Sequence, residues 1–310
     1  MENTNRTNGP VPYGQAPKEE ENPMESRAGE LEKLTVDVGS YSFTALAAGP
    51  PDGPLALLLH GWPEFASSWT EVLLALGSAG YRAVAFDQRG YSTGARPAEV
   101  EQYAPDHLVA DALAVADAQG ARRFHLVGHD WGGMVAWALA SAHPERLLSL
   151  AVLATPHPVA LQQASAEDPD QYHRLDYVRF FRRPDGAAER SLLADHAARL
   201  RAAYLGRVPQ HLVSENIRRL SEPGALTATL NWYRAVDDDL TVPAGRIAVP
   251  TLYIWGSEDA ALGRNAATRT AGFIDGPYWF EILEGASHWL PEEAPGVVVP
   301  LLLKHLSAQG

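Results

Sequence analysis

Short apolar runs alternate with stretches of helical spacing along most of the chain. Residues 34–38 and 41–47 flank Gly39-Ser40, which predicts an N-terminal hairpin. Residues 55–59, 83–86, 124–127 and 148–153 are short, mostly apolar runs, and each predicts a buried strand. Between these runs, residues 69–79 carry apolar positions at helical spacing and close at Gly80. Asp106 is placed to cap a helix that runs to about Gln119, with Gly120 just past its end. A further helix ends near His143. With the two later strand patterns at 247–255 and 279–283, this alternation predicts a mostly parallel, eight-stranded sheet with helices on both faces, the α/β class.

The rhythm breaks after Thr155-Pro156-His157-Pro158. From there to about Ala244 the chain reads as helices rich in Arg, Ala, Leu and aromatics. Strand patterns resume at 247–255 and 279–283, and a helix near 297–306 closes the chain. The economical reading is one core domain, 31–156 plus 245–310, with a helical cap inserted at 157–244. The cap would lie over the carboxyl ends of the strands, where α/β sheets bind ligands. Residues 1–30 are rich in Asn, Pro, Gly and Glu and read as a disordered tail, with Met24 as a second candidate start.

Composition narrows the field. A length of 310 residues is enough for such a core. The formal net charge of −13 argues against nucleic-acid and anionic-membrane partners. With no cysteine, disulfides, thiolate metal sites and Cys nucleophiles are excluded. The N-terminus has no apolar secretory core, and no run reaches the roughly 18 apolar residues of a membrane span. A cytoplasmic protein is expected.

The chemistry centres on Gly128-His129-Asp130-Trp131-Gly132-Gly133, which joins a predicted strand to a predicted helix. A sharp strand-to-helix turn of this kind exposes a nucleophile, normally a serine. Here the seat holds Asp130, and a carboxylate suits displacement at saturated carbon through an alkyl ester. An isolated acid between glycines would be an ordinary turn residue. Three features argue otherwise. His288 falls on the loop after the last predicted strand, where a base would sit. Asp259 lies between them in sequence and can fix the histidine's tautomer, with Glu258 as its rival. His60-Gly61-Trp62-Pro63 follows an early strand, and the backbone N–H groups of Trp62 and Trp131 would form an oxyanion hole.

Together, His60-Gly61-Trp62-Pro63-Glu64, Gly80-Tyr81-Arg82, Asp87-Gln88-Arg89-Gly90-Tyr91-Ser92, the Asp130 turn, His143-Pro144-Glu145-Arg146, Thr155-Pro156, the Gly285–Trp289 stretch and Glu292-Glu293-Ala294-Pro295 carry a resemblance. The chain resembles the α/β-hydrolase superfamily and, within it, the soluble epoxide hydrolases. The resemblance covers roughly residue 31 to the C-terminus. It implies two cap tyrosines that polarise and protonate the epoxide oxygen. Leu175-Asp176-Tyr177 and Asn231-Trp232-Tyr233-Arg234 match those segments and nominate Tyr177 and Tyr233. Tyr172, Tyr103 and Tyr204 read instead as packing aromatics.

The resemblance implies an epoxide hydrolase that converts an apolar small-molecule epoxide and water to a vicinal diol, with no metal or organic cofactor. Trp62, Trp131, Phe180, Phe181 and Trp232 are expected to line an apolar pocket. Homodimer formation is left open. A haloalkane dehalogenase would use the same nucleophile and ester. Many dehalogenases, however, carry Asn where this chain has Trp62, and the tyrosines would have no task there. A fluoroacetate-type enzyme typically has Arg where this chain has Trp131. A non-catalytic small-molecule receptor on the same fold is the third reading, but a receptor has no need of a complete nucleophile, base and acid.

Overall fold

The computed structural model describes residues 30–237 and 240–309. The expected tail, apart from Glu30, and Met24 lie outside the described residues. β1 (Glu32–Val38) and β2 (Tyr41–Ala48) form the hairpin, turning at Gly39 with φ of 58°. β3 (Leu55–Leu59), α1 (Thr70–Ser78), β4 (Arg82–Phe86), α2 (Pro105–Ala118), β5 (Phe124–His129), α3 (Trp131–Ala142) and β6 (Leu147–Leu153) then alternate. Helices α4 (Pro158–Glu167), α5 (Pro169–Arg174), α6 (Asp176–Phe181), α7 (Ala187–Ala203), α8 (Gln210–Leu220) and α9 (Ala225–Arg234) follow. β7 (Thr251–Gly256), α10 (Arg264–Arg269), β8 (Tyr278–Leu283), α11 (Leu290–Glu293) and α12 (Pro295–Ser307) complete the chain.

The eight strands form one sheet in the order β1-β2-β4-β3-β5-β6-β7-β8. β2 runs antiparallel to both its neighbours, and the remaining pairings are parallel. Continuous apolar runs suit these strands because both faces are covered. In β3, Leu55, Leu57 and Leu59 enter the larger core with α2, α3 and the inserted helices. Ala56 and Leu58 enter the smaller core with α1 and α12 on the opposite face.

The order also fixes where a site can form. From β3 the chain builds β4 on one side, then crosses to start β5 on the other. That reversal opens a crevice beyond the carboxyl ends of β3 and β5. Leu59 pairs with Gly128 in register, so the loop after β3 and the turn after β5 emerge side by side.

Two local expectations differ. Asp106 does not cap α2: the helix starts at Pro105 with Ala104 before it, and Asp106 lies in its first turn. Proline's fixed φ and missing N–H suit the first helical position, so it sets the start. β7 begins at Thr251, later than residue 247, because Pro250 has no N–H for the ladder. Ile247 keeps only an isolated bridge to Ile274. Among the described residues no helix is long and apolar enough to cross a membrane.

Candidate active site

Asp130 occupies the β5–α3 turn with φ 51° and ψ −121°, a conformation rare for a residue with a Cβ. Two glycines make room for it. A Cβ on Gly132 would stand 2.1 Å from the Leu59 carbonyl oxygen, and one on Gly61 would stand 2.3 Å from Asp130 Cβ. The strained turn is braced by Thr155, whose hydroxyl donates to the Asp130 carbonyl at 2.8 Å. Strain of this sort persists where the surroundings over-determine it, typically at functional sites.

The carboxylate is held from two sides. The Trp62 N–H donates to Oδ1 at 2.7 Å, and His288 Nε2 lies 3.3 Å from Oδ2. Trp62 precedes Pro63 through a cis peptide bond. Trp131 is the first residue of α3, so its N–H belongs to the turn that has no partner within the helix. His288 Nδ1 bonds Asp259 Oδ2 at 2.7 Å. Asp259 is buried, and its Oδ1 accepts from the Ala261 and Leu262 amides, each at 2.8 Å. The rival acid Glu258 is turned to solvent and pairs with Arg207 at 2.5 Å. Sequence positions 130, 259 and 288 thus meet as one hydrogen-bonded line.

Burial lowers the basicity of His288. The carboxylates of Asp259 and Asp130 outweigh that and lift its pKa well above the usual imidazole range. The two flanking carboxylates therefore favour the charged imidazolium of His288.

The inserted helices bring the tyrosines. Tyr177 on α6 and Tyr233 on α9 have ring centroids 6.1 Å apart, and Tyr233 stacks edge-on to Trp131 at 5.1 Å. Burial, followed by the nearby Asp130 and Asp259 charges, raises the Tyr177 phenol. Burial does the same for Tyr233. Both keep their protons across the neutral range and can donate them. With Asp130, His288, Trp62 and Phe181 they line a cavity of about 310 Å³.

Trp62, Phe180 and Phe181 line this cavity, whereas Trp131 lines a smaller one that shares Asp130 and Tyr177. Trp232 lines neither. Its indole N–H is committed to the Arg89 carbonyl at 2.8 Å, and it backs Trp131 at 5.6 Å. On helix α9, adjacent residues point in different directions, so Tyr233 faces the cavity while Trp232 packs behind it. Tyr103 and Tyr204 are buried, but Tyr172 is 44% exposed beneath the Arg179 guanidinium.

A second polar layer has no counterpart in the expectations. His129, beside Asp130, donates from Nε2 to the His288 carbonyl at 2.8 Å and faces Glu64 Oε2 through Nδ1 at 3.0 Å. Burial opposes charge on Glu64, but the hydrogen bonds from Glu292 and His129 prevail and bring its pKa to about 2. Burial and the charge on Glu64 push the Glu292 carboxyl well above the usual carboxylate range. A polar residue closing an apolar strand run was the available signal for His129. Its partners come from loops far away in sequence.

A sequence model of the alpha/beta hydrolase fold matches residues 54–295, and the chain belongs to that family. The chain is 37% identical over 280 residues to the AB hydrolase superfamily protein YfhM of Bacillus subtilis, covering 88% of this chain and 97% of that one. It is 34% identical over 314 residues to epoxide hydrolase A of Mycobacterium tuberculosis, covering 88% and 96%. The crystal structure of epoxide hydrolase A from Mycobacterium thermoresistibile matches at a TM-score of 0.79 and 27% identity, covering 91% and 99%. Within the α/β hydrolases, this chain is a member of the epoxide hydrolase family.

Proposed function

We propose that the protein hydrolyses an apolar epoxide to a vicinal diol through an ester of Asp130. One observation carries the reading: Asp130 has one oxygen on the Trp62 amide and the other facing His288, in a cavity that two phenols also line. Oδ2 attacks an epoxide carbon, the ring C–O bond breaks, and Tyr177 or Tyr233 protonates the departing oxygen. Esterification removes the charge on Asp130, so His288 loses one of the two carboxylates that hold its proton. That proton returns to the phenolate. Neutral His288, oriented by Asp259, then takes a proton from water, which attacks Cγ of Asp130. The oxyanion on Oδ1 is stabilised by the amides of Trp62 and Trp131, and collapse releases the diol. Helices α4 to α9 act as a cap domain, residues 157–244, over a core of 31–156 and 245–310.

The test is to stall the second step. A His288→Gln variant treated with styrene oxide should gain the whole mass of the epoxide on Asp130, read by peptide mass spectrometry. Treated instead with a 1-haloalkane, a haloalkane dehalogenase would gain the mass of the haloalkane less hydrogen halide, and a receptor would gain nothing from either reagent.

A further inference from the structure

The short helix α5 is bonded closely to the loop that carries Asp259. Gln171 is only 1% exposed, and its amide reaches this loop twice. Its Nε2 donates to the Ala261 carbonyl at 3.0 Å, and its Oε1 accepts from the Gly263 N–H at 2.7 Å. One turn on, Arg174 Nη1 donates to the Asp259 carbonyl at 2.7 Å. The same loop supplies the Ala261 and Leu262 amides that grip Asp259 Oδ1. The Leu262 carbonyl is taken by the Trp255 indole at 2.8 Å.

A primary amide is suited to this place because it donates and accepts at once, satisfying both a buried carbonyl and a buried N–H. An apolar side chain would strand both groups, and the loop would have to shift to reach water. Any such shift moves the two amides that aim Asp259, and small misplacements at a reacting centre cost large factors in rate.

We propose that Gln171 is a positioning residue: through the 259–263 loop it holds the Asp259 carboxylate on His288, so the inserted helices help to set the base for ester hydrolysis. This rests on the two-step ester reading above. The ring contacts of Tyr177 are with Phe181 and Tyr233 and not with Gln171, so alkylation of Asp130 should be largely spared.

The experiment compares the wild type with Gln171→Met and Arg174→Gln, with Glu222→Ala as control. Glu222 pairs with Arg96 at 3.4 Å, joining the inserted helices to the core, and its other ion pair is to Arg218 rather than to the Asp259 loop. Single-turnover alkylation and ester hydrolysis are timed with styrene oxide across pH, and the alkylated fraction of Asp130 at steady state is weighed by mass spectrometry. Gln171→Met should slow hydrolysis about tenfold or more while alkylation changes less than about threefold. The alkylated fraction should therefore rise, and the pH midpoint of hydrolysis should fall, because a wandering Asp259 supports the imidazolium less. Arg174→Gln should show a milder form of the same signature, and Glu222→Ala should show none of it. Ratios taken within one protein are insensitive to a smaller folded fraction. Equal slowing of both phases, an unchanged pH midpoint, or the same signature from Glu222→Ala would overturn the proposal. If the wild type forms no Asp130 adduct, the ester reading itself fails, and this inference with it.

Discussion

His288 lies between two carboxylates, and its charge is set by all three groups together. Its folded pKa is raised above the unfolded value. Its ion pairs therefore stabilise the fold fully below pH about 6.5, and that contribution fades as the pH climbs through the folded pKa. Neutralising one partner should reverse part of the shift. In Asp130→Asn, the His288 imidazole titrated by NMR should have a pKa clearly below that of the wild type. An equal or higher value would contradict the claim that the Asp130 charge holds the proton, and with it the link between ester formation and release of the base. Legibility at this scale was uneven. Asp130, His288 and Asp259 were nominated by local turn context. The charge state of His288 was not, because it sums burial against charges brought together from positions 130 and 259.

Two elements do different work around Asp130. α3 must approach β3 closely enough that Gly132 touches the Leu59 carbonyl, where a Cβ would be 2.1 Å away. Gly132→Ala should cost about 1–3 kcal/mol in urea denaturation and lower turnover as well, because the helix cannot shift without moving the turn. A variant with wild-type stability would contradict that packing. α6 and α9 bring the phenols. Tyr177→Phe and Tyr233→Phe should each slow alkylation, and the double variant should lose about 10²–10⁴-fold. Hydrolysis of the preformed ester should hold its rate, as read by single-turnover mixing. Equal loss in both phases would remove the phenols from ring opening. The elements were largely legible, since period and turn residues are local. Their edges were not where a proline decided, as at Pro105 and Pro250. Trp232 was misplaced for a related reason: a motif names neighbours in sequence, and a helix turns those neighbours to different faces.

Across the whole molecule, burial has been spent on neutral histidines as well as on the site. His125 lies 1% exposed against Ser149, and burial lowers its pKa to about 4. His157 is lowered to about 4 by burial as well; its Nε2 donates to the Gly245 carbonyl and its Nδ1 accepts from Val159 N–H. Only the neutral ring can make both bonds. For these depressed groups stability is present above the unfolded pKa of about 6.5 and is lost as pH falls toward the folded value. The loss is on the order of 3 kcal/mol per residue for shifts of this size. Melting temperatures should therefore drop between pH 6.5 and 4, and His157→Gln, which cannot titrate, should flatten the slope. An unchanged slope would show that the ring is not the titrating group.

By itself the sequence determined the strand and helix rhythm, the interruption after β6, and the acid at the sharp strand-to-helix turn, because periodicity and turn chemistry act over a few residues. Only the tertiary structure decided which acid meets His288, that Glu64 and Glu292 share a buried layer with His129, and that Gln171 grips the Asp259 loop. Those pairings join segments many tens of residues apart, and sheet order and burial, which no local pattern encodes, choose the partners and their charges.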